Sequence, residues 1–387
     1  MGTSSQLTQK LTLLLEEYSI GAGYLTPLPR GGRLSGDARR EVEGLLGSLA
    51  VETSTSSSLL YGNGCFAVGR YSEAAEVFSR ILQVEPESNA ARFNLALCHL
   101  RLRRPREAVA ELTTVIDGEP GRYQAWYQRA NAYDDMEEYE LALADYARAI
   151  ELNPDYLRAY YNRGIVLAKA GRHGEAVAEF GWVMEMRPDL SNAYLNRGVS
   201  LDELGEHGQA LADYTTALQL DPFNTNALFN RASTNYHLGH IKEAIRDCSE
   251  VVQQSPGDAE AYNNRGLAYD ALGQYEKALA DYEAAAAQRP DFAEVLNNRG
   301  AALEAMEQDE RALAQYVRAT QVAPGFAVAY FNAARLHSKG GNVDQALEYL
   351  EQAAQLEPGW AEEAAEDEQL GWVLELRELK ERRSMNS

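Results

Sequence analysis

The residues whose types could do chemistry are a recurring Asn-Arg-Gly tripeptide, a pair of adjacent acids and six histidines. Asn264-Arg265-Gly266 has the composition of a phosphate loop or an active-site turn. Such a loop also needs a preceding strand and further glycines, which this stretch lacks. Asp134 and Asp135 could act as general acid and base, but the predicted helix surface gives them no companion base or nucleophile. We therefore predict that the protein has no catalytic residues and is not an enzyme.

The histidines and cysteines give no metal site in the sequence. None of the six histidines stands at a metal-ligand spacing from a cysteine, so we predict no metal and no cofactor. Cys65, Cys98 and Cys248 are too few and too scattered for a disulfide framework. They stand at or beside apolar packing positions and are predicted to be core residues in a reducing compartment.

The net charge limits the classes of partner. The chain has 387 residues and a formal net charge of -22. This charge repels phosphate backbones and anionic lipid headgroups at long range, so we predict no nucleic acid and no membrane as partner. No apolar stretch is long enough to span a bilayer, and the N-terminus lacks the basic start and apolar run of a signal peptide. We therefore predict a soluble, cytoplasmic protein.

Nine prolines divide most of the chain into units of 34 residues. They are Pro86, Pro120, Pro154, Pro188, Pro222, Pro256, Pro290, Pro324 and Pro358. When each unit is numbered so that its proline is position 32, repeats 1 to 9 begin at residues 55, 89, 123, 157, 191, 225, 259, 293 and 327. Position 20 is then always alanine, and position 8 is always glycine or alanine. A glycine at position 15 in several repeats and the proline at 32 end two predicted helices, so each repeat is predicted to be a helix, a turn and a helix.

This pattern resembles the tetratricopeptide repeat family, through its small residue at position 8, tyrosine at 11 in Tyr133 and Tyr269, alanine at 20, aromatic at 24 and proline at 32. The resemblance covers residues 55 to 360. It implies an all-α fold, a right-handed α-solenoid or superhelix of antiparallel helix pairs. We predict an N-terminal helical cap or partly flexible segment over residues 1–54, nine repeats over 55–360, and a C-terminal capping helix and tail over 361–387. Two helical faces are predicted in the first segment, formed by Leu7, Leu11, Leu14 and Tyr18 and by Val42, Leu45, Leu46 and Leu49.

Arginines at position 7 vary together with acids at position 23. Position 7 is arginine in repeats 3 to 8, and position 23 is acidic in repeats 2 to 7. Pairing within one repeat fits this pattern less well, because Arg299 would face Gln315. We therefore predict ion pairs between neighbouring repeats, the alternative being that the arginines are solvated. The predicted structural pairs are Arg129–Glu111, Arg163–Asp145, Arg197–Glu179, Arg231–Asp213, Arg265–Asp247 and Arg299–Asp281.

Side-chain amides occupy position 6 in eight consecutive repeats. They are Asn94, Gln128, Asn162, Asn196, Asn230, Asn264, Asn298 and Asn332. The resemblance implies that positions 2, 5, 6, 9, 12 and 13 of the first helix line a concave groove. An amide offers two donors and one acceptor, which suffice to bind the N–H and C=O of an extended peptide. Position 5 adds aromatic rings at Phe93, Tyr127, Tyr161 and Phe229.

The sequence thus favours a non-enzymatic adaptor that binds an extended peptide segment in an asparagine-lined concave groove. Positions 12 and 13 are acidic in places, at Asp134, Asp135, Asp202, Glu203, Asp270 and Glu304. We therefore predict a protein or peptide partner that is neutral to basic. The alternative is a structural, self-associating scaffold that uses its convex face or its ends, with the groove empty or occupied by its own N-terminal segment. A monomer is favoured, although the sequence does not fix the oligomeric state.

Overall fold

A computed structural model describes residues 4–16, 23–25, 34–48 and 55–375, and the regular elements within these ranges are all α-helices. Two helices precede the repeats, Ser4–Glu16 and Gly36–Ser48. The all-α fold class predicted from the sequence is therefore confirmed. None of the helices in the described ranges is long and apolar enough to cross a membrane.

Each repeat contains two helices joined by a short turn, and the first helix begins where the sequence numbering starts the repeat. The first helices are Thr55–Ala67, Asn89–Arg101, Tyr123–Asp135, Leu157–Lys169, Ser191–Glu203, Thr225–His237, Ala259–Ala271, Ala293–Ala305 and Ala327–Lys339. The second helices are Tyr71–Val84, Pro105–Gly118, Tyr139–Leu152, His173–Met186, His207–Leu220, Ile241–Gln254, Tyr275–Gln288, Asp309–Val322 and Val343–Leu356.

The chain divides into two compact units, Met1–Leu204 and Gly205–Ser387, with the boundary between the two helices of repeat 5. Within each unit, the two helices of a repeat pack on each other, and the second helix packs on the first helix of the next repeat. First helices of successive repeats also lie side by side, for example those of repeats 2 and 3 and those of repeats 6 and 7. Each unit therefore presents a row of first helices.

The glycine at position 8 of repeats 1, 4, 7 and 8 packs against the ring at position 24 of the same repeat. A Cβ added to Gly266 would lie 2.6 Å from Cε1 of Tyr282, and one added to Gly300 would lie 2.5 Å from Cε1 of Tyr316. Both tyrosines are fully buried. The rings thus fill the space that a Cβ would need, which explains why these repeats have glycine at position 8.

The turn between the two helices places position 15 in the left-handed region in all nine repeats. Six repeats have glycine there, which adopts a positive φ without steric cost. Arg103, Glu137 and Glu307 adopt the same conformation with φ of 58°, 61° and 60°. Because the turn needs this conformation, these three repeats keep it although their side chains disfavour it.

The arginine at position 7 pairs with the acid at position 23 of its own repeat in repeats 3, 4, 6 and 7, so the predicted pairing with position 23 of the preceding repeat is wrong. Arg265 donates to Asp281 through two bonds of 2.7 and 2.6 Å, and Asp247 is bound by Arg231 instead. The observed pairs are Arg129–Asp145, Arg163–Glu179, Arg231–Asp247 and Arg265–Asp281. The predicted pairs Arg129–Glu111, Arg163–Asp145, Arg197–Glu179, Arg231–Asp213, Arg265–Asp247 and Arg299–Asp281 are not formed.

The physical reason is that positions 7 and 23 face each other across one helix pair, whose members pack together more extensively than successive repeats do. The sequence pattern was misleading because Glu111 and Arg299 have ion-pair partners at positions other than 7 and 23. Glu111, whose repeat lacks an arginine at position 7, is bound by Arg92 one turn earlier at 2.8 Å. Arg299, whose repeat lacks an acid at position 23, reaches Glu283 at position 25 of the preceding repeat at 2.6 Å.

Contact with the preceding repeat does exist, but it is made to a hydroxyl group at position 25. Nη1 of Arg265 donates to Oγ of Ser249 at 3.3 Å, and Nη1 of Arg231 donates to Oγ1 of Thr215 at 3.2 Å. Arg129 makes the equivalent bond to Thr113 at 3.0 Å. One guanidinium therefore joins three helices.

Both ends of the repeat array are covered by helices. Leu11, Leu15, Val42 and Leu46 are buried in the same apolar core as Phe78 of repeat 1. Tyr18 and Leu49, which the sequence also assigns to these faces, lie outside the described residues. After the repeats, a short helix over Gly359–Glu366 ends at Asp367, and residues 371–375 are again helical. Ala364 and Leu370 are buried against repeat 9, and residues 376–387 lie outside the described ranges.

Candidate functional site

The first-helix face is the surface formed by positions 2, 5, 6, 9, 12 and 13 of the first helices. The eight predicted amides lie here in two states of burial. Asn94 and Gln128 are buried, and Asn162, Asn196, Asn230, Asn264, Asn298 and Asn332 are half-buried. Among the four predicted aromatic residues, Phe93 and Tyr127 are buried, whereas Tyr161 and Phe229 are half-buried. The most accessible amides therefore belong to repeats 4 to 9.

Asn94 is buried because a short N-terminal segment, Gly23 to Leu25, lies on the first-helix face in front of it. The Asn94 Oδ1 accepts from the Leu25 N–H at 2.7 Å, and its Nδ2 donates to the Gly23 carbonyl at 2.9 Å. Asn63, at position 9 of repeat 1, donates to the same carbonyl at 3.1 Å and accepts from Asn94 at 2.8 Å. One side-chain amide thus binds the two main-chain groups that flank Tyr24, without contacting a side chain of the segment.

The side chain of Tyr24 occupies an aromatic and charged pocket. Its ring meets Phe93 edge-on with centroids 5.5 Å apart, and the Arg122 guanidinium lies 3.3 Å from its centroid. Its hydroxyl donates to Glu119, which also accepts from Arg122 at 2.7 Å and from Asn89 at 3.0 Å. Burial and the bond to Glu119 raise the pKa of Tyr24 to about 12. Burial by itself raises the pKa of Glu119, but hydrogen bonds from Tyr24, Arg122 and Asn89 outweigh it and lower that pKa.

The amides of repeats 4, 5, 8 and 9 donate to the residue at position 5 of the preceding repeat. Asn162 donates to the Tyr127 hydroxyl and Asn196 to the Tyr161 hydroxyl, both at 2.9 Å. Where position 5 is itself an asparagine, its side-chain oxygen is the acceptor in place of the tyrosine hydroxyl. Asn298 donates to Asn263 at 3.0 Å and Asn332 donates to Asn297 at 2.9 Å. These bonds link neighbouring first helices and fix the orientation of these four amides.

Much of the hydrogen-bonding capacity at position 6 is not used by the described residues. Asn196, Asn298 and Asn332 each donate one N–H, so a second N–H and the carbonyl oxygen of each remain. Asn230 makes no side-chain hydrogen bond to any described residue, and Asn264 accepts only a long bond of 3.5 Å from Asn263. Asn162 differs, because its amide also donates to Asn131 at 2.9 Å. Donors and acceptors are therefore available along the first-helix face of each unit.

The structure also brings in residues that sequence reasoning missed. Asn63 and Asn131, both at position 9, complete the amide network, and the repeat numbering was the signal that could have identified them. Gly23, Tyr24 and Leu25 lie in a stretch rich in glycine and proline that has no periodic pattern. A tyrosine between small and apolar residues was the only local signal of their contact with repeats 1 and 2.

Helix pairs that stack through their second helices and present rows of polar first-helix residues define a repeat scaffold. Family models described as tetratricopeptide repeat match residues 66–131, 123–156, 146–178, 191–224, 259–292 and 327–360. Because these matches together cover more than half of the chain, the chain belongs to the tetratricopeptide repeat family. Such repeats form protein-interaction scaffolds. A search of curated proteins gives no significant match.

Solved structures similar to this chain are themselves tetratricopeptide repeat proteins. One from Parabacteroides merdae is 18% identical over 63% of this chain and 97% of its own, with a TM-score of 0.49. YrrB, described as a tetratricopeptide repeat protein with an unusual peptide-binding site, is 24% identical over 51% of this chain and 97% of its own, with a TM-score of 0.40. MamA from Desulfovibrio magneticus RS-1 is 21% identical over 44% of this chain and 97% of its own, with a TM-score of 0.43. Similarity at this level carries no argument about function.

Proposed function

We propose that this chain is a non-enzymatic interaction protein whose first-helix faces bind extended segments of other proteins. The observation that carries the proposal is the contact of Asn94 with the main chain on both sides of Tyr24. A position 6 amide can hold one N–H and one C=O of an extended strand in this way, and it does so without depending on the sequence of the strand.

The same amide recurs on later repeats with capacity remaining. In the unit Gly205–Ser387, Asn230, Asn264, Asn298 and Asn332 are half-buried and have donors or acceptors that no described residue uses. A strand along their helices would meet one amide per repeat. Because bound amides lose their water contacts, each such bond adds modest affinity, and several together hold the strand.

Side-chain pockets beside the amides would add specificity. The pocket of Tyr24 combines an aromatic edge, a guanidinium above the ring and an acceptor for the hydroxyl. Phe229 and Tyr161 are half-buried at the equivalent position 5 of later repeats. The net charge of -22 favours partners that are neutral to basic. The cytoplasmic location and the monomeric state stay predictions.

A second candidate function is a scaffold in which the first-helix face is occupied in cis. The observation that favours it is the position of Gly23 to Leu25 on repeats 1 and 2. In that case, these residues would be a permanent part of the fold, and partners would bind elsewhere. The two candidates differ in whether the amides of repeats 6 to 9 bind peptides.

A phage-displayed library of random peptides tests the proposal. Peptides enriched on the wild-type protein are synthesised, and their affinities are measured by fluorescence anisotropy against a variant in which Asn230, Asn264, Asn298 and Asn332 are replaced by alanine. We expect affinity to fall about tenfold or more, because several main-chain bonds are lost together. Circular dichroism verifies that the variant keeps its helices.

The matched control replaces four amides on the second helices of the same unit, Gln219, Gln253, Gln321 and Gln355, which all stand at exposed position 29. Affinity for the enriched peptides should stay within about twofold of the wild type in this control. Peptides that bind the asparagine variant as tightly as the wild type would overturn the first-helix face as the binding surface.

A further inference from the structure

Position 12 carries an acid in repeats 3, 5, 7 and 8, and the acids of repeats 3 and 8 are neutralised by a cation of the next repeat. Asp134 of repeat 3 is bound by Lys169 at 2.7 Å, from position 13 of repeat 4. Glu304 of repeat 8 is bound by Arg335 at 2.9 Å, from position 9 of repeat 9. In both cases, a cation on the next first helix reaches the carboxylate across the first-helix face.

Repeat 8 shows the complete arrangement. The Arg335 guanidinium lies 3.0 and 2.9 Å from the two Glu304 oxygens. The Tyr316 hydroxyl, from position 24 of the same repeat, donates to Glu304 at 3.0 Å. Acid, hydroxyl and cation thus form one hydrogen-bonded cluster.

Repeat 7 has the acid and the hydroxyl at these two positions, but repeat 8 supplies no cation to pair with the acid. Asp270 stands at position 12, half-buried, and forms no hydrogen bond or ion pair through its carboxylate with any described residue. Tyr282 stands at position 24, fully buried, and its hydroxyl has no hydrogen-bond partner among the described residues. The two positions of repeat 8 that could supply a cation are Ala301 and Ala305, both exposed.

Asp270 and Tyr282 stand at the same two positions as Glu304 and Tyr316, which are bonded to each other in repeat 8. Burial, then the Asp270 carboxylate and the Tyr236 hydroxyl, raise the pKa of Tyr282 above its ordinary value. Burial alone raises the pKa of Asp270, which means that no neighbouring cation offsets it. Tyr236, at position 12 of repeat 6, places a half-buried ring on the same face.

We infer that Asp270 and Tyr282 form a binding site for an arginine side chain of the bound segment. The inference rests on the proposed function and adds the chemistry of one partner residue. The partner guanidinium lies beside Asp270 in the way that Arg335 lies beside Glu304. Because arginine is always protonated, its positive charge neutralises the Asp270 carboxylate. Exposed alanines at 301 and 305 leave the approach open from the first-helix face.

The test uses the same enriched peptides and a double-mutant cycle. Peptides bound to the unit Gly205–Ser387 should contain arginine at one fixed position. Replacing that arginine by methionine in the peptide, or making Asp270→Asn in the protein, should each lower affinity about tenfold, and the two changes together should lower it no further. Asp134→Asn is the matched control, because Lys169 already occupies that acid, and it should leave the affinity unchanged.

Ala301→Arg gives a second readout that needs no partner. An arginine at position 9 of repeat 8 copies Arg335, so the unfolding midpoint should rise, and Asp270→Asn should cancel the rise. The same variant should lose affinity for the arginine peptides about tenfold, because its own guanidinium fills the site.

The outcomes separate the two proposals. Peptides that depend on Asn230, Asn264, Asn298 and Asn332 but bind equally to wild type and to Asp270→Asn would overturn the arginine site and leave the proposed function standing. A library without any enriched peptide would overturn the proposed function and the site with it. Arginine at a fixed position, with coupling to Asp270, supports both.

Discussion

The guanidinium of Arg265 connects three helices, two in its own repeat and one in the repeat before. Its partner Asp281 is buried, with 8% of its side chain exposed, whereas Glu283, the partner of Arg299 in the next repeat, is 57% exposed. A carboxylate that loses its partner inside the protein cannot regain its hydration, whereas an exposed one can. The two arginines stand at the same position and should therefore differ in their effect on stability.

Arg265→Ala should lower the free energy of unfolding by about 3 kcal/mol, because it leaves Asp281 buried and unpaired. Arg299→Ala should cost about 1 kcal/mol or less. Urea unfolding followed by circular dichroism measures both variants. Equal losses in the two would show that the burial of the acid does not determine the contribution of this position.

Asn94 fixes the segment Gly23 to Leu25 on repeats 1 and 2 through two main-chain bonds. Asn94→Ala removes both bonds, so amide hydrogen exchange at Leu25 should become about tenfold faster or more. Asn162→Ala, at the same position two repeats later, is the control and should leave exchange at Leu25 unchanged. Unaltered exchange in Asn94→Ala would mean that Phe93 and Arg122 hold the segment without the amide.

At the scale of the helix pair, the turn imposes its conformation on whatever residue stands at position 15. Glu307 is exposed, so its side chain contributes little to packing. Its φ of 60° strains the backbone, because this conformation is unfavourable for a residue with a Cβ. Glu307→Gly should raise the free energy of unfolding by about 1 kcal/mol. Gly273→Ala, at the same position in repeat 7, should lower it by a similar amount. Urea unfolding that ranks the two changes in the opposite order would contradict this view of the turn.

The helix boundaries were predictable because proline, glycine and alanine recur at fixed positions that each have a local steric meaning. The partner of Arg265 was not predictable from the sequence, because the choice between Asp247 and Asp281 depends on how closely helices pack within and between repeats. The amides at position 6 could be placed on the first-helix face. Their bonds to position 5 could not, because they depend on side-chain geometry between repeats.

The contact of the Tyr24 side chain with repeat 2 was also not predictable from the sequence. It joins residues 95 apart through one hydroxyl and one carboxylate, without any repeated pattern. Helices can be predicted from the local periodicity of the sequence, whereas a single long-range contact does not alter that periodicity and cannot be predicted from it.

At the scale of the whole molecule, the three thiols report on the packing of both units. Cys65 and Cys98 lie in Met1–Leu204, and Cys248 lies in Gly205–Ser387. Burial raises the pKa of each to about 12, so the reactive thiolate is scarce at neutral pH. Ellman's reagent should therefore react with none of them in the native protein and with all three in urea. Rapid reaction of one thiol under native conditions would show that its unit opens.

The central claim is that amides on the first helices hold the main chain of an extended partner. The most direct measurement is an N-methyl scan of the tightest peptide from the library, in which each backbone N–H is replaced in turn. We expect affinity to fall about tenfold at those N–H groups that face the asparagines, and the loss should disappear in the variant lacking Asn230, Asn264, Asn298 and Asn332. Uniform tolerance of N-methylation along the peptide would contradict the claim.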